Sequence, residues 1–353
     1  MSSPYSVFLE VTNACNSNCM HCRSRTGKPL PNELSTDELL SLIDKIDHMG
    51  TSFVVLTGGE PLLRRDILEI VKYSCNLGLK TVLATNGFYL THDKANLLAT
   101  MENLSVQISL DGASAVIHDS FRGLDGSFER AIYALRICAE VGIDVSASVT
   151  VTWYNFEDLP KVIDLGRELR IPTIKLRRFI PNGQGFDNRS LLDLSPEEMR
   201  VLVKFYINRK EALQHEIDLQ MEQAPFTIPL STDKSSFLND GTKRIRGGCS
   251  AGNAICVIDP VGNVRPCPSL PVNVGNVKEV DFQTIWESSY ILNQLRDRSN
   301  LSGRCKVCEY RSVCGGCRAA AFSQYGNYLS EDPKCWYTEA LKEKAHKCEL
   351  ISV

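Results

Sequence analysis

No apolar run in this chain approaches the roughly 20 residues a helix needs to cross a bilayer, so no membrane span is expected. The opening Met1-Ser2-Ser3-Pro4-Tyr5 has no basic region leading into an apolar core, so it is not read as a secretory signal, and a cytoplasmic location is expected. Excess charge is missing too: 39 Lys and Arg stand against 42 Asp and Glu, a formal net charge of −3. Such a balance sets up no global field toward nucleic acid or an anionic membrane, and no nucleic-acid partner is expected. Internal repeats and low-complexity tracts are absent. What the chain has in quantity is cysteine, 14 in 353 residues. In a reducing compartment these are metal or redox ligands before they are disulfides. Three crowd into Cys15-Asn16-Ser17-Asn18-Cys19-Met20-His21-Cys22 and eight lie between Cys249 and Cys335. Cys75 and Cys138 fall inside amphipathic helical patterns and read as buried thiols, while Cys348 takes no assignment.

The chain is 43% hydrophobic, enough for one large domain and a smaller one. Residues 6–12 predict a first strand, and Ser35-Thr36-Asp37-Glu38 is a capping box that opens a helix with one face formed by Leu39, Leu40, Leu42, Ile43 and Ile46. Phe53-Val54-Val55-Leu56, Thr81-Val82-Leu83-Ala84, Val106-Gln107-Ile108-Ser109-Leu110 and residues 145–151 predict further strands, with helices over 66–77 and 127–141 between them. Ile174-Lys175-Leu176 begins a sixth strand. Such alternation implies parallel βαβ units, here a partial (β/α)6 TIM-like barrel. The expected boundaries are a barrel over 1–200, a bridge over 201–246 (a helix, then a polar stretch at 231–246) and a small cysteine-rich domain over 247–353. Barrel chemistry sits at the carboxyl ends of the strands, and the candidate residues follow that rule.

Thiols at C-x3-C-x2-C spacing on a loop leaving a strand can close on three corners of a cubane iron–sulfur cluster, leaving the fourth iron open to a small molecule. The alternative is a zinc site completed by His21 or a distant cysteine. Gly58-Gly59-Glu60-Pro61 leaves strand two through glycines that let backbone approach a ligand, and Glu60 offers a carboxylate to a cationic amine. An ordinary strand-to-helix turn accounts for it equally. Asn86 follows strand three. Ser109 and Asp111 close strand four, where they suit ribose hydroxyls, although Asp111-Gly112 is also a turn signal. Arg122 could pair with a carboxylate or lie on a solvated face. Downstream, Cys249 and Cys256 precede a hairpin that ends on Cys267, followed by Cys305, Cys308, Cys314, Cys317 and Cys335. Eight thiols suffice for two four-iron clusters, or for two zinc knuckles.

From about residue 7 to 336 the chain resembles radical S-adenosylmethionine (SAM) enzymes with a SPASM domain, the C-terminal module that carries two auxiliary clusters. Leu9-Glu10-Val11-Thr12-Asn13-Ala14-Cys15, Val106-Gln107-Ile108-Ser109-Leu110-Asp111-Gly112-Ala113 and Val257-Ile258-Asp259-Pro260-Val261-Gly262 resemble the mycofactocin maturase and its peptide-modifying relatives. Cys314-Gly315-Gly316-Cys317-Arg318-Ala319-Ala320-Ala321 and Gly326-Asn327-Tyr328-Leu329-Ser330-Glu331-Asp332-Pro333 resemble the heme-biosynthesis members.

The resemblance implies three 4Fe-4S clusters and SAM. Cys15, Cys19 and Cys22 would hold the catalytic, SAM-binding cluster. Gly58, Gly59, Glu60, Asn86, Ser109, Asp111 and Arg122 would bind SAM, and His21 stands where the family has an aromatic residue against adenine. Cys249, Cys256, Cys267 and Cys317 would hold one auxiliary cluster, and Cys305, Cys308, Cys314 and Cys335 the other. Two positions depart from the pattern: Cys314 and Cys317 are spaced x2 where the family has x3, and Pro268 stands where some relatives carry an Asp base.

The implied activity is reductive cleavage of SAM to a deoxyadenosyl radical that oxidatively modifies a ribosomally made peptide or protein by decarboxylation, dehydrogenation or crosslinking. No peptide-docking module is evident, so a separate recognition protein is expected, with an electron donor of flavodoxin or ferredoxin type. The alternative substrate is a porphyrin side chain, its propionates met by Arg177, Arg178, Arg244 and Arg246. A third reading, from another class, is a zinc-bearing binding protein without enzymatic activity.

Overall fold

In the computed structural model, which describes residues 3–213, 215–222 and 248–337, strands and helices alternate as the hydrophobic pattern predicts. The strands are β1 (Ser6–Glu10), β2 (Phe53–Thr57), β3 (Lys80–Thr85), β4 (Leu104–Ser109), β5 (Asp144–Val151), β6 (Thr173–Arg178), β7 (Asp218–Glu222), β8 (Ile255–Ile258), β9 (Asn263–Arg265) and β10 (Gly275–Asn276). They form one open sheet in the order β10-β9-β8-β1-β2-β3-β4-β5-β6-β7. Strands β8 and β1 to β7 are parallel, and β9 and β10 add an antiparallel edge. The barrel is therefore partial: its two edges do not meet.

Helices α1 (Thr36–His48), α2 (Ile67–Asn76), α3 (His92–Ala99), α4 (Ala115–Arg122), α5 (Ser127–Glu140), α6 (Leu159–Glu168), α7 (Gly183–Asp187), α8 (Arg189–Leu192) and α9 (Pro196–Leu213) connect the strands. The capping box of α1 is present, the Glu38 N–H donating to Ser35 Oγ at 3.2 Å and the Ser35 N–H to Glu38 Oε2 at 2.8 Å. Leu39, Leu42, Ile43 and Ile46 are buried as the pattern requires. Cys75 and Cys138 are core thiols, 5% and 0% exposed.

The sheet runs past the barrel boundary expected at residue 200. Helix α9 buries Met199, Leu202, Val203 and Leu213, and β7 pairs with β6 from Thr173↔Asp218 to Arg177↔Glu222. Five residues of mixed polarity (Asp218-Leu219-Gln220-Met221-Glu222) give no strand signal by themselves, because an edge strand need not be apolar on both faces. The polar stretch 231–246, with Arg244 and Arg246, lies outside the described residues, as does Cys348.

The C-terminal part is less separate than its glycine, proline and cysteine punctuation suggests. Strand β8 pairs in parallel with β1, from Ser6↔Ile255 to Leu9↔Ile258. Helices α10 (Phe282–Ser288) and α11 (Tyr290–Arg296) add Phe282, Ile285, Trp286 and Leu292 to the same core that lies under the barrel helices. Helix α12 (Gly303–Val307) carries Cys305, and α13 (Arg318–Tyr325) begins directly after Cys317.

A buried ion pair locks this region to the barrel. Arg178, at the end of β6, donates through Nη1 and Nη2 to Asp332 at 2.8 and 2.9 Å, and both side chains are almost wholly excluded from water. The Cys317 N–H also donates to Asp332, at 2.8 Å. Replacing Arg178 by Met leaves a buried carboxylate without its cation, so urea unfolding should show a loss of about 3–5 kcal/mol; a loss under about 1 kcal/mol would mean that the pair does not bind the two regions together.

Candidate functional site

Parallel barrel strands usually read as continuous apolar runs, but these alternate. Along β5, Val145, Ala147, Val149 and Val151 join the core while Ser148 and Thr150 face the lumen. Gln107 and Ser109 of β4, Thr57 of β2 and Arg177 of β6 face the same lumen. The result is a polar cavity at the strand ends with about 1170 Å³ of empty space counted to its mouth, into which Cys15, Cys19 and Cys22 also face.

The cysteine loop is held on three sides by backbone. Gly59 and Glu60 N–H groups donate to Thr12 and Ala14 carbonyls, both at 2.7 Å. A Cβ on Gly58 would stand 2.4 Å from the Thr12 oxygen, and one on Gly59 2.2 Å from that of Ala14. These glycines serve close approach to the loop's backbone, a contact that excludes any side chain. From α4, Arg122 and Phe121 carbonyls accept from the Asn18 and Met20 N–H groups, each at 3.0 Å. From α7, the Gly185 N–H donates to the Cys22 carbonyl at 3.1 Å.

Each thiol has a polar neighbour: the Ser17 N–H lies 3.5 Å from Cys15 Sγ, Arg122 Nη1 3.7 Å from Cys19 Sγ, and Thr26 Oγ1 3.5 Å from Cys22 Sγ. Burial pushes the Cys15 thiol up and that of Cys19 to about 11, with Arg122 opposing the rise at Cys19. Thiols in that state give up their protons on binding a metal group. Among the described residues no three His, Cys, Asp or Glu close tightly enough to hold one metal ion. Three thiols facing one cavity are the donor set for three irons of a four-iron cluster.

The structure brings Gly58, Gly59, Asn86, Ser109, Arg122 and His21 to the cavity wall with the three thiols, and leaves two expected ligands behind it. Glu60 is 0% exposed; Oε1 accepts from Thr85 Oγ1 at 2.6 Å and the Leu62 N–H at 3.0 Å, and Oε2 from the Asn86 N–H at 2.8 Å. Asp111 is likewise 0% exposed, accepting from the Thr150 N–H at 2.7 Å and pairing with Arg122 at 2.5 Å. In this structure both carboxylates accept from wall residues and do not themselves line the cavity. Asn86 donates to Asn16 Oδ1 at 2.9 Å, and His21 stacks on Phe121 at 4.5 Å, which in turn stacks on Tyr154. Burial lowers the imidazole of His21, which keeps it neutral.

Arg178 lines the cavity but is committed to Asp332. Arg177, the other arginine expected to meet propionates, pairs with Glu222 at 2.9 Å and donates to Gln107 Oε1 at 3.1 Å. Arg23, Thr26, Gln107, Ser148 and Thr150 were missed; for the strand residues, the alternation of polar with apolar side chains was the available signal.

The C-terminal thiols form two groups. Cys305, Cys308, Cys314 and Cys335 line one pocket with Gly315, Gly316 and Asp332. Cys249, Cys267 and Cys317 pack together in a second apolar cluster with Ile180, Leu270 and Ala320. Gly315 and Gly316, both left-handed at φ 67° and 59°, turn the chain so that Cys314 and Cys317 part company across only two residues. Cys256 does not join its expected partners. It sits in register with Val7, on the sheet face buried in the main core with Ile258, while its neighbour Ile255 packs with the Cys249 group. Alternation along a strand sends the two side chains to opposite faces.

Comparison with known proteins places these features. The Radical SAM superfamily is matched over residues 9–166, and SPASM, an iron-sulfur cluster-binding domain, over 249–317. An AdoMet-dependent heme synthase of Methanosarcina barkeri is 35% identical, the match covering 97% of this chain and 99% of that protein. The mycofactocin maturase MftC of Mycolicibacterium smegmatis is 32% identical over 98% of this chain and 87% of that one. The crystal structure of Streptococcus suis SuiB bound to S-adenosylmethionine shares the fold at a TM-score of 0.75 and 18% identity, covering 95% of this chain and 75% of that one.

Cys256→Val should keep the iron and sulfide content of the parent after anaerobic reconstitution, whereas Cys267→Ala should lose iron; equal losses in both would return Cys256 to the ligand set. A second expectation concerns acid. His118 is 2% exposed, accepts the Asp111 N–H at Nδ1 (3.1 Å), and is lowered by burial to about 3. Its stabilising effect is whole above the unfolded value near 6.5 and is lost as pH falls toward 3, at up to about 1.4 kcal/mol per pH unit. Between pH 6.5 and 5 the parent should lose about 2 kcal/mol more than His118→Asn in urea unfolding; parallel curves would count against it.

Proposed function

Since the chain belongs to the radical SAM superfamily and carries a SPASM cluster-binding domain, we propose that it oxidatively decarboxylates propionate side chains of an iron porphyrin. One observation carries the reading: the described cavity wall holds four arginines, Arg23, Arg122, Arg177 and Arg178, and neither Asp nor Glu. Their acidic partners cancel part of this charge but do not line the cavity, so a substrate rich in carboxylates meets guanidinium groups and no competing acid there. The match to the heme synthase over almost the full length of both chains supports the same choice.

When bound by Cys15, Cys19 and Cys22, and by the two C-terminal groups, iron–sulfur clusters supply the one-electron chemistry, giving an electron to cleave SAM and accepting the one the substrate releases. The chain's residues do the rest. Arg122 offsets the charge of Cys19, and Asp111 and the α4 backbone hold it there. His21, neutral and flat on Phe121, offers a stacking surface for adenine. Asn86 and Ser109 offer polar contacts to the ribose and amino acid parts of SAM. SAM held there would supply a hydrogen-abstracting radical, and a propionate losing a hydrogen atom from the carbon β to its carboxyl, then carbon dioxide and one electron to a cluster, would end as a vinyl group. The barrel keeps water from that radical. A one-electron donor of flavodoxin or ferredoxin type would reduce the SAM-binding cluster.

A peptide is the second substrate reading, supported by the maturase relatives at 32–33% identity; it would call for a separate recognition protein. The test is an anaerobic reaction with SAM, dithionite and iron coproporphyrin. Deoxyadenosine, carbon dioxide and vinyl product are expected, and the triple variant Cys15→Ala, Cys19→Ala, Cys22→Ala should form none of them. Deoxyadenosine from the triple variant would remove the radical reading. SAM cleavage without porphyrin decarboxylation, alongside modification of a peptide encoded beside the gene, would favour the second substrate.

A further inference from the structure

Three of the four arginines in the cavity wall are spoken for. Arg122 divides its guanidinium between Asp111 and Cys19, Arg177 between Glu222 and Gln107, and Arg178 grips Asp332 with both Nη atoms. Arg23 differs. Its one ion pair, to Glu10, is long at 3.6 Å, and Glu10 is also bonded to Arg265. A buried Nε without a hydrogen bond is common to Arg23, Arg122 and Arg177, but among the described residues Arg23 alone of the four makes no side-chain hydrogen bond, and Glu10 Oε1, the oxygen that Arg23 faces, has none either. One carboxylate thus serves two guanidiniums, with Arg177 close enough to act on Arg23 as well. The cluster is one anion short.

Arg23 is also held in place. It follows Cys22 directly, and the loop after β6 packs on its backbone: a Cβ on Gly183 would stand 2.5 Å from the Arg23 carbonyl oxygen, at a left-handed φ of 53°. The side chain keeps 28% of its surface exposed, and Ser24 and Thr26 line the same wall. A guanidinium with a fixed base, no hydrogen bond of its own and part of its surface open to the cavity is the geometry that receives a carboxylate.

We propose that Arg23 is a binding residue for a substrate carboxylate, a propionate of the porphyrin under the reading above, set beside the thiol of Cys22 so that the carboxylate-bearing carbon chain enters next to the SAM-binding centre. The subsite rests on that reading for the identity of the substrate, and the experiment separates the two. Anaerobically reconstituted parent, Arg23→Gln and Arg23→Lys are titrated with iron coproporphyrin and with its tetramethyl ester, followed by the Soret band. Iron content and SAM affinity by equilibrium dialysis are measured on the same samples.

The expected result is tight binding of the acid and weak binding of the ester by the parent. Arg23→Gln should lose about tenfold or more for the acid with no change for the ester, and Arg23→Lys should recover part of the loss. Iron content and SAM affinity should match the parent in both variants. Undiminished binding of the acid by Arg23→Gln overturns the subsite and leaves the porphyrin reading standing. Equal binding of acid and ester by the parent overturns the subsite, because the carboxylates are then not recognised. A parent that binds neither removes both proposals. Loss of SAM affinity in Arg23→Gln, with porphyrin affinity kept, assigns Arg23 to SAM and overturns the subsite.

Discussion

Strand β1 is hydrogen-bonded on both edges, to β2 and to β8, and the rest of the site depends on that double pairing. Its outward residues Val7 and Leu9, with Val11 just past its end, enter the common core, and its inward Phe8 lines the cavity. The cysteine loop departs from its carboxyl end, so the loop starts from backbone that cannot shift without breaking two ladders. A site that must hold several irons at fixed separation needs such a base, because the loop has little apolar surface of its own. The same pairing brings β8 and its hairpin beside the barrel, so that Arg265, two residues before Cys267, reaches Glu10 on β1.

Around that base the molecule uses backbone contacts where side chains would be too long. Gly58, Gly59, Gly183 and Gly185 each lie against the peptide groups of the loop, two from the β2 end and two from the β6 end. Glu60 then ties the β2 turn to β3 through Thr85 and Asn86. A buried carboxylate with three donors is stable in its charged form only if those donors stay in place, so Glu60 makes the position of Asn86 rigid. Residue type suggests a ligand at this position, and the geometry adds a bracing role toward β3.

That difference marks how far the sequence could be read. The six barrel strands, the capping box of α1, the cysteine loop and the strand-end position of the site follow from periodicity and spacing, because each is set within a few residues. Cys256 could not be sorted that way: a cysteine in a strand looks the same whether it faces a cluster or a core, and only the register with Val7 decides. Asp332 meets Arg178 across 154 residues, a contact no local pattern encodes. Arg23 is a single arginine in a loop, and its importance comes from what it lacks, which only the finished structure displays. The alternation of residues 145–151 is legible and marks β5 as a strand, but Ser148 and Thr150 read as ordinary strand residues until the lumen they face is known.

Two buried arginines show how the thiols are kept compatible with burial. Arg122 lies 3.7 Å from Cys19 Sγ, and Arg318, itself 1% exposed, lies 3.8 Å from Cys305 Sγ. Each uses its remaining donors on fixed acceptors: Arg122 on Asp111, Arg318 on the carbonyls of Gly316, Tyr328 and Ser330. A lysine could place a charge near sulfur but could not hold itself there by a planar fork. Donors to sulfur stabilise the more negative, reduced state of a cluster and so raise its potential. The two arginines differ in one respect. Arg122 is paired with a carboxylate, so much of its charge is cancelled locally, whereas Arg318 is bonded to neutral carbonyls and brings its charge to Cys305. Asp332, a buried carboxylate, lines the same pocket as Cys305 and opposes that charge, so each thiol group lies near both a guanidinium and a carboxylate.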